Sequence, residues 1–215
     1  MAGRISGSFD WRTWLVYTHR WLGIAGCVLF ISWFVSGVVL MYERMPSLSA
    51  EERLAHQPSL DLSRATVDPA AAAASLSFTP TTLRVSMLEG RPVYRFNAGA
   101  NWATVYADTG AALGTFTEAQ SLAIARAYAP TPQTAVRHDV RLLDSDQWTL
   151  SSAIRPLMPL DRIAVDDDAG TTVYVSTRTG EAVITSTHRQ RVWGYLGAVL
   201  HWIYFTPLQI GRAHV

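Results

Sequence analysis

Residues 22–42 read LGIAGCVLFISWFVSGVVLMY, and this stretch without a charged residue decides how the rest of the chain is arranged. As an α-helix it would measure about 30 Å, the thickness of a bilayer's hydrocarbon core. We therefore expect a transmembrane helix over residues 14–44. Everything beyond it lies on one side of a membrane until a second apolar stretch, which begins near Val192, brings the chain back.

The apolar stretch fits either a retained anchor or a cleaved signal peptide. Signal peptides have apolar regions of about 7–15 residues, followed by a small-residue cleavage site. This stretch is longer and no clean site follows it, which favours a retained helix. Arg4, Arg12 and Arg20 precede the stretch, whereas Glu43 and Arg44 follow it. The positive-inside rule then places the N-terminus in the cytoplasm and the main part of the chain outside it.

The composition argues against several classes of function. The formal net charge of the 215 residues is +1, so nothing suggests nucleic-acid binding. The single cysteine, Cys27, lies inside the apolar stretch, so the remaining chain has no disulfide and no cysteine metal site. The sequence has no G-x-S-x-G, H-E-x-x-H, P-loop or G-x-G-x-x-G motif, and it therefore does not support a soluble hydrolase or a nucleotide enzyme.

The alternation of apolar and polar segments divides the chain into six parts. They are a cytoplasmic arm (1–13), a transmembrane helix (14–44), a linker with room for a short helix (45–66), an external domain (67–190), a second membrane-associated helix (191–208) and a non-native tail (209–215). The second apolar stretch carries no charge, but it falls short of the roughly twenty residues that a span needs. It fits an interfacial helix or a span that is cut short.

The last six residues, IGRAHV, match the translation of a common sequencing-library adapter. Such segments are excluded from fold reasoning, and His214 is therefore not treated as a ligand. On this interpretation the chain is the N-terminal part of a longer protein, and the intact protein contributes further membrane helices.

The external domain is predicted to combine helices and antiparallel strands. Asp68 followed by Pro69 is a typical helix start and predicts a helix over 70–76. Thr117 and Gln120 have the spacing of a capping box and predict a second helix that ends before residue 130. Apolar runs between turn residues predict eight strands, at 81–87, 93–97, 102–107, 136–142, 147–151, 162–166, 171–176 and 182–185.

Two segments of this domain resemble each other. Residues 105–110 read VYADTG and residues 173–180 read VYVSTRTG, so in each a tyrosine-bearing strand enters a turn that ends in glycine. Glycine supplies the positive φ of such a turn without strain. We therefore expect a duplicated unit of one helix and an antiparallel hairpin. The predicted fold class is a membrane-anchored α+β protein with this duplicated domain and a second membrane-associated helix.

Two of the six histidines, His19 and His201, lie in or beside the apolar stretches. Each shares a helix face with small residues, because side chains three, four and seven positions apart lie on one face. The small residues are Gly23 and Gly26 beside His19, and Gly197 and Ala198 beside His201. A flat macrocycle beside an axial imidazole needs such a groove, so the pattern fits a haem-iron ligand at each end.

A simpler interpretation of this pattern remains open. Small residues on one face also serve plain helix–helix packing, and histidine is an ordinary residue near a membrane interface. The positive-inside orientation puts His19 on the cytoplasmic side and His201 on the external side. The two histidines therefore do not face each other across one haem, and each needs a partner ligand from another membrane helix.

Several strings of the sequence are similar to those of PepSY-associated transmembrane proteins. They are HRWLGIAGCVLFISWFVSGVVLMYE (19–43), DQWTL (146–150), RPL (155–157), YVSTRTGE (174–181) and RVWGYLGAVLHWIYFTPL (191–208). The resemblance covers nearly the whole chain up to Leu208. It departs from the family at Gln209, where the family usually has arginine, and in the absence of the later helices.

The resemblance implies a protein of the bacterial inner membrane with PepSY-like α+β units in the periplasm. Some members of the family contain haem b and reduce ferric siderophores. Carried over, His19 and His201 are the expected axial ligands.

Two hypotheses of function follow from the residues and the resemblance. The first is a membrane b-type cytochrome that passes electrons to a periplasmic acceptor such as a ferric siderophore. The second is a membrane-anchored protein without redox activity, whose PepSY units bind a peptide or regulate a protease. Both imply contact with membrane lipid.

Overall fold

The computed structural model describes residues 10–203 and 205. Helix α1 (Trp11–Tyr42) contains the apolar stretch and starts three residues before the predicted boundary. Asp10 caps it, because its carboxylate accepts a hydrogen bond from the backbone N–H of Arg12 at 3.1 Å. The helix ends where Glu43 adopts an extended conformation.

Among the described residues, α1 is the one helix long and apolar enough to cross a membrane. Its most apolar window has a mean hydropathy of 2.3, and only 6% of that window is buried within the protein. The core helix of a soluble protein would be mostly buried, so this exposure fits a helix that is surrounded by lipid. The length, composition and position of α1 fit a membrane anchor or a signal sequence.

The first α+β unit follows a short helix, α2 (Ala50–Ala55), which begins with a capping box at Ser49. The helix of the first unit is α3 (Pro69–Ala74), which Asp68 caps as the sequence predicts. The strands that follow form an antiparallel sheet in the order β1-β2-β3, with bounds β1 (Thr82–Leu88), β2 (Arg91–Ala98) and β3 (Asn101–Tyr106). Helix α3 packs on this sheet, because Ala72 shares a buried cluster with Tyr94 and Phe96.

The second unit has the same layered arrangement with one more strand. Helix α4 (Glu118–Arg126) begins with the predicted capping box at Thr117. It packs on an antiparallel sheet in the order β4-β5-β6-β7, with bounds β4 (Val136–Leu142), β5 (Leu160–Val165), β6 (Thr172–Ser176) and β7 (Glu181–Ser186). Gly110 in the first unit and Gly180 in the second both have positive φ, at 73° and 63°, as the sequence predicts.

The predicted strand at 147–151 is wrong. The other seven predicted strands are present, and their ends lie within two residues of the predicted ones. At 147–151 the Asp146 carboxylate accepts hydrogen bonds from the Trp148 N–H at 2.9 Å and the Thr149 hydroxyl at 3.0 Å. These local bonds turn the chain and bury Trp148. A short 3₁₀ helix, Arg155–Leu157, then leads into β5.

The C-terminal helix runs antiparallel to the last turns of α1. It consists of α5 (His188–Gly194), a π-helical turn (Tyr195–Val199) and α6 (Leu200–Trp202). A Cβ on Gly194 would lie 3.6 Å from Pro46, just beyond α1, whereas one on Gly197 would lie 3.1 Å from Val39. The predicted helix at 191–208 is present as far as residue 202, and residues 204 and 206–208 lie outside the described part. The expected tail at 209–215 also lies outside it.

A buried arginine connects the two units. Arg95 on β2 is 1% exposed, and its guanidinium donates hydrogen bonds to the carbonyl oxygens of Thr179 (2.7 Å) and Gly180 (3.1 Å), in the turn between β6 and β7. It also lies 3.4 Å from the Glu181 carboxylate. Burial lowers the pKa of Arg95 to about 10, against the attraction of Glu181, so the group stays charged at neutral pH.

We expect Arg95→Met to lower the free energy of unfolding by about 3–5 kcal/mol, because it leaves two buried carbonyls without a donor and removes the buried one of the two arginines that pair with Glu181. Arg84→Met is the matched control. Arg84 pairs with the same carboxylate, but its side chain is 40% exposed, so we expect a loss of about 1 kcal/mol or less. Guanidinium unfolding of the full chain in detergent measures both, and equal losses would contradict the role given to Arg95.

Candidate functional site

His201 lies against α1 through its Nδ1 atom. Nδ1 is 3.1 Å from the carbonyl oxygen of Trp33 and 3.2 Å from the Ser36 hydroxyl. The imidazole stacks on the Trp33 indole, with ring centroids 4.9 Å apart and planes at 16°. A carbonyl oxygen only accepts, so this contact requires a proton on Nδ1 and leaves the lone pair of the neutral ring on Nε2.

Gly37 makes this close approach feasible. A Cβ at Gly37 would lie 3.1 Å from Cε1 and 3.5 Å from Nδ1 of His201. Ser36, the one buried residue of α1, lies next to it. The sequence analysis did not single out Trp33 or Ser36. The signal that could have found Ser36 was a hydroxyl inside an otherwise apolar stretch, where a polar group needs a partner.

His19 lies far from this contact. It is exposed, and neither Gly23 nor Gly26 has an atom within 4 Å of the position that a Cβ would occupy. Seventeen residues of helix separate His19 from Ser36, which corresponds to about 25 Å along the axis. The structure therefore does not bring the two predicted iron ligands together.

Gly197 lies against α1, whereas Ala198 lines a cavity. A Cβ on Gly197 would lie 3.1 Å from a methyl group of Val39 and 3.5 Å from Leu40, and Ala198 is 1% exposed. Gly197 lets the C-terminal helix approach α1 closely, which is the helix-packing role that the sequence left open. The open small-residue surface of α1 lies instead beside His19.

A cavity of about 590 Å³ lies where the segment after α1 (residues 45–48), the C-terminal helix and both sheets meet. Its walls are mainly apolar and include three tryptophans, Trp102, Trp148 and Trp202. Charged side chains line it as well: Arg53 on α2, Arg84 on β1 and Glu181 on β7. Its size and its mixture of apolar and polar walls are those of a small-molecule site. No sequence pattern predicts this cavity, because its walls come from distant parts of the chain.

The charges beside the cavity are unequal. Glu181 is bonded to Arg84 at 2.7 Å and lies 3.4 Å from Arg95. Arg84 also lies over the indole of Trp102, with its Cζ 5.3 Å from the ring centroid. Arg53 adds a further positive charge, and its buried Nε has no hydrogen-bond partner among the described residues. Two arginines therefore pair with one carboxylate, and a third lines the cavity with it.

Asp161 forms the other buried charged cluster. It is 0% exposed, and its carboxylate accepts hydrogen bonds from Arg141 (2.7 and 2.8 Å) and Ser121 (2.6 Å). His138 Nε2 lies 3.2 Å from the same carboxylate. Serine, histidine and aspartate thus meet, but the serine is buried and bonded to the aspartate rather than the histidine. A nucleophile needs the opposite arrangement, so this cluster holds α4 on the second sheet.

The described residues contain no group of three or more His, Cys, Asp or Glu side chains that could hold a metal ion. Comparisons with protein-family models, with curated proteins and with solved structures found no match for this chain.

The Asp161 cluster predicts a pH dependence. Burial alone would raise the pKa of Asp161, but hydrogen bonds from Arg141, Ser121 and His138 outweigh burial and lower it. A lowered folded-state pKa contributes stability above the unfolded-state value of about 3.9, and that stability is lost as the pH falls through the folded-state pKa.

We expect Asp161→Asn to be less stable than the wild type at pH 7, with the difference shrinking below pH ~4. Unfolding by denaturant between pH 2.5 and 7 measures this. Asp144→Asn, at an exposed turn, is the control and should follow the wild type at every pH. A difference in unfolding free energy between Asp161→Asn and the wild type that is the same at pH 3 and pH 7 would contradict the lowered pKa of Asp161.

Proposed function

We propose that this chain is part of a bacterial inner-membrane oxidoreductase that holds haem b and passes electrons to a periplasmic acceptor such as a ferric siderophore. The observation that supports this most directly is the orientation of His201. Its Nδ1 is held by a backbone carbonyl, and its Nε2 makes no hydrogen bond among the described residues. Histidines that bind metals usually have their second ring nitrogen held in this way.

The residues near His201 fit the needs of an axial ligand. Trp33 and Ser36 fix the tautomer and the ring plane, and Gly37 lets the ring lie close to the α1 backbone. With the proton of the neutral ring on Nδ1, its lone pair lies on Nε2, the atom that would bind the iron. When bound, haem would supply the one-electron chemistry, while the protein sets the potential and the access of the acceptor.

His19 is the proposed ligand at the cytoplasmic end of α1. The open surface over Gly23 and Gly26 leaves room beside it for a flat macrocycle. Since His19 and His201 lie about 25 Å apart along α1, each would bind its own haem. We propose that the opposite ligand of each haem comes from another membrane helix that packs against α1.

The two α+β units would lie in the periplasm, as a duplicated PepSY-like domain. The shared order of helix followed by antiparallel strands, and the positive-φ glycine at the matching turn of each unit, support this. The exposed apolar surface of α1 supports contact with membrane lipid.

A difference spectrum tests the haem proposal. The protein is expressed from the intact gene in membranes supplied with haem, and reduced-minus-oxidised spectra are recorded. We expect b-type bands in the wild type, a loss of at least half the intensity in His201→Ala, and an independent loss in His19→Ala. His188→Ala, at an exposed position on α5, is the matched control and should keep the full intensity.

Added imidazole should restore part of the lost signal in His201→Gly, because the free ligand fills the vacated position. A folded, haem-supplied wild type without b-type bands would overturn the proposal. That result would favour the second hypothesis, a membrane-anchored protein whose PepSY units bind a peptide or regulate a protease.

The proposed topology predicts a labelling pattern. In a Cys27→Ser background, Gln133→Cys in the exposed turn after α4 should react with a membrane-impermeant maleimide in intact spheroplasts. Asp10→Cys, at the start of α1, should react only after lysis. Release of the domain into the soluble fraction without α1 would show a cleaved signal sequence instead.

A further inference from the structure

We propose that the cavity between the C-terminal helix and the two sheets binds a single-chain amphiphile with an acidic headgroup, its apolar chain toward the C-terminal helix and its headgroup at Arg53 and Arg84. This site is separate from the haem proposal and contains neither His19 nor His201.

The apolar part of the cavity lies level with the last turns of α1. Trp202, in its wall, follows His201, which contacts Trp33. Trp33 lies nine residues before the end of α1, which corresponds to about 14 Å along the helix. Ala198 and Val199 of the same C-terminal helix also line the cavity. If α1 crosses a membrane, this end lies at the depth of the acyl chains.

The charged part of the cavity belongs to the external units. Arg53 is on α2 and Arg84 is on β1, both beyond the end of α1. Arg84 pairs with Glu181, and the buried Arg95 pairs with the same carboxylate from outside the cavity wall, so Arg53 gives the wall an excess of positive charge. This excess favours an anion and disfavours a cationic ligand.

Arg53 has a donor that the protein leaves unused. Its Nε is buried and has no hydrogen-bond partner among the described residues. Such a donor is costly to bury, and because Arg53 lines the cavity, an acidic headgroup there would pair with its guanidinium charge. A carboxylate or a phosphate monoester offers the acceptor oxygens that a guanidinium prefers.

The same walls fit an amphiphile better than a peptide. An extended peptide carries an N–H and a C=O at nearly every residue, and these groups need partners along its whole length. Here the charged side chains are concentrated on the walls formed by the external units, while the walls formed by the C-terminal helix are apolar. An acyl chain needs no hydrogen bonds along its length, and a single headgroup uses the charged end.

Equilibrium dialysis of the full chain in phosphatidylcholine nanodiscs tests the proposal, with empty nanodiscs correcting for partition into lipid. The probes share a twelve-carbon chain: dodecanoate, dodecyl phosphate, dodecanol and dodecyltrimethylammonium. We expect saturable binding of about one dodecanoate or dodecyl phosphate per chain, at least tenfold tighter than dodecanol, and no saturable binding of the cation. Tighter binding of the phosphate would point to a lysophospholipid, and tighter binding of the carboxylate to a fatty acid.

Variants then locate the site. Arg53→Gln should weaken dodecanoate binding at least tenfold, whereas Arg137→Gln, at a 73% exposed surface arginine, should leave it unchanged. Ala153→Trp, at an exposed position in the cavity wall, should block binding by filling the space. The ligand series uses the wild type, so misfolding of a variant does not remove the test.

Equal binding of dodecanoate and dodecanol by the wild type would overturn the proposal, as would wild-type affinity in a folded Arg53→Gln. Saturable binding of an apolar peptide but not of dodecanoate would overturn it in favour of peptide recognition. None of these readouts involves haem, so the outcome is independent of the difference spectrum.

Discussion

The relative position of the two α+β units depends on the buried guanidinium of Arg95. It extends from β2 of the first sheet to two backbone carbonyls and a carboxylate at the β6–β7 turn of the second. An arginine suits this position because its planar fork donates in several directions and stays charged when buried. A shared apolar core, in which Leu88 and Val93 meet Ile163 and Val173, accompanies this polar connection. The same arginine belongs to the charge group that gives the cavity its positive end.

The contact between α1 and the C-terminal helix is the second constraint on the molecule. Gly197 lets the helix approach α1, Gly194 lets it lie close to the Trp148 ring, and the approach brings His201 onto Trp33 and Ser36. It also places Val199 and Trp202 in the wall of the cavity. Close packing by small residues therefore has two consequences here: an oriented imidazole and an enclosed space.

Local signals in the sequence predicted most elements of the fold. The caps at Asp68 and Thr117 set two helix starts, because a side-chain oxygen there satisfies backbone N–H groups that have no other partner. The strand predicted at 147–151 does not form because the Asp146 carboxylate accepts hydrogen bonds from the N–H and hydroxyl groups of the next residues. For the candidate sites, the helical period placed His201 correctly on a helix, but it could not show that Gly197 on the same face lies against Val39 and Leu40 of α1.

The sequence by itself determined the long apolar helix, the two helix-plus-sheet units and the residue types that carry charge, because these depend on period, caps and turn residues within short windows. Only the tertiary structure decided which atoms meet. These contacts join residues 84 to 168 positions apart: His201 with the Trp33 carbonyl, Arg95 with the β6–β7 turn, and Arg84 with Glu181. No local pattern encodes such pairs, because they arise only when distant segments bury their apolar faces against one another.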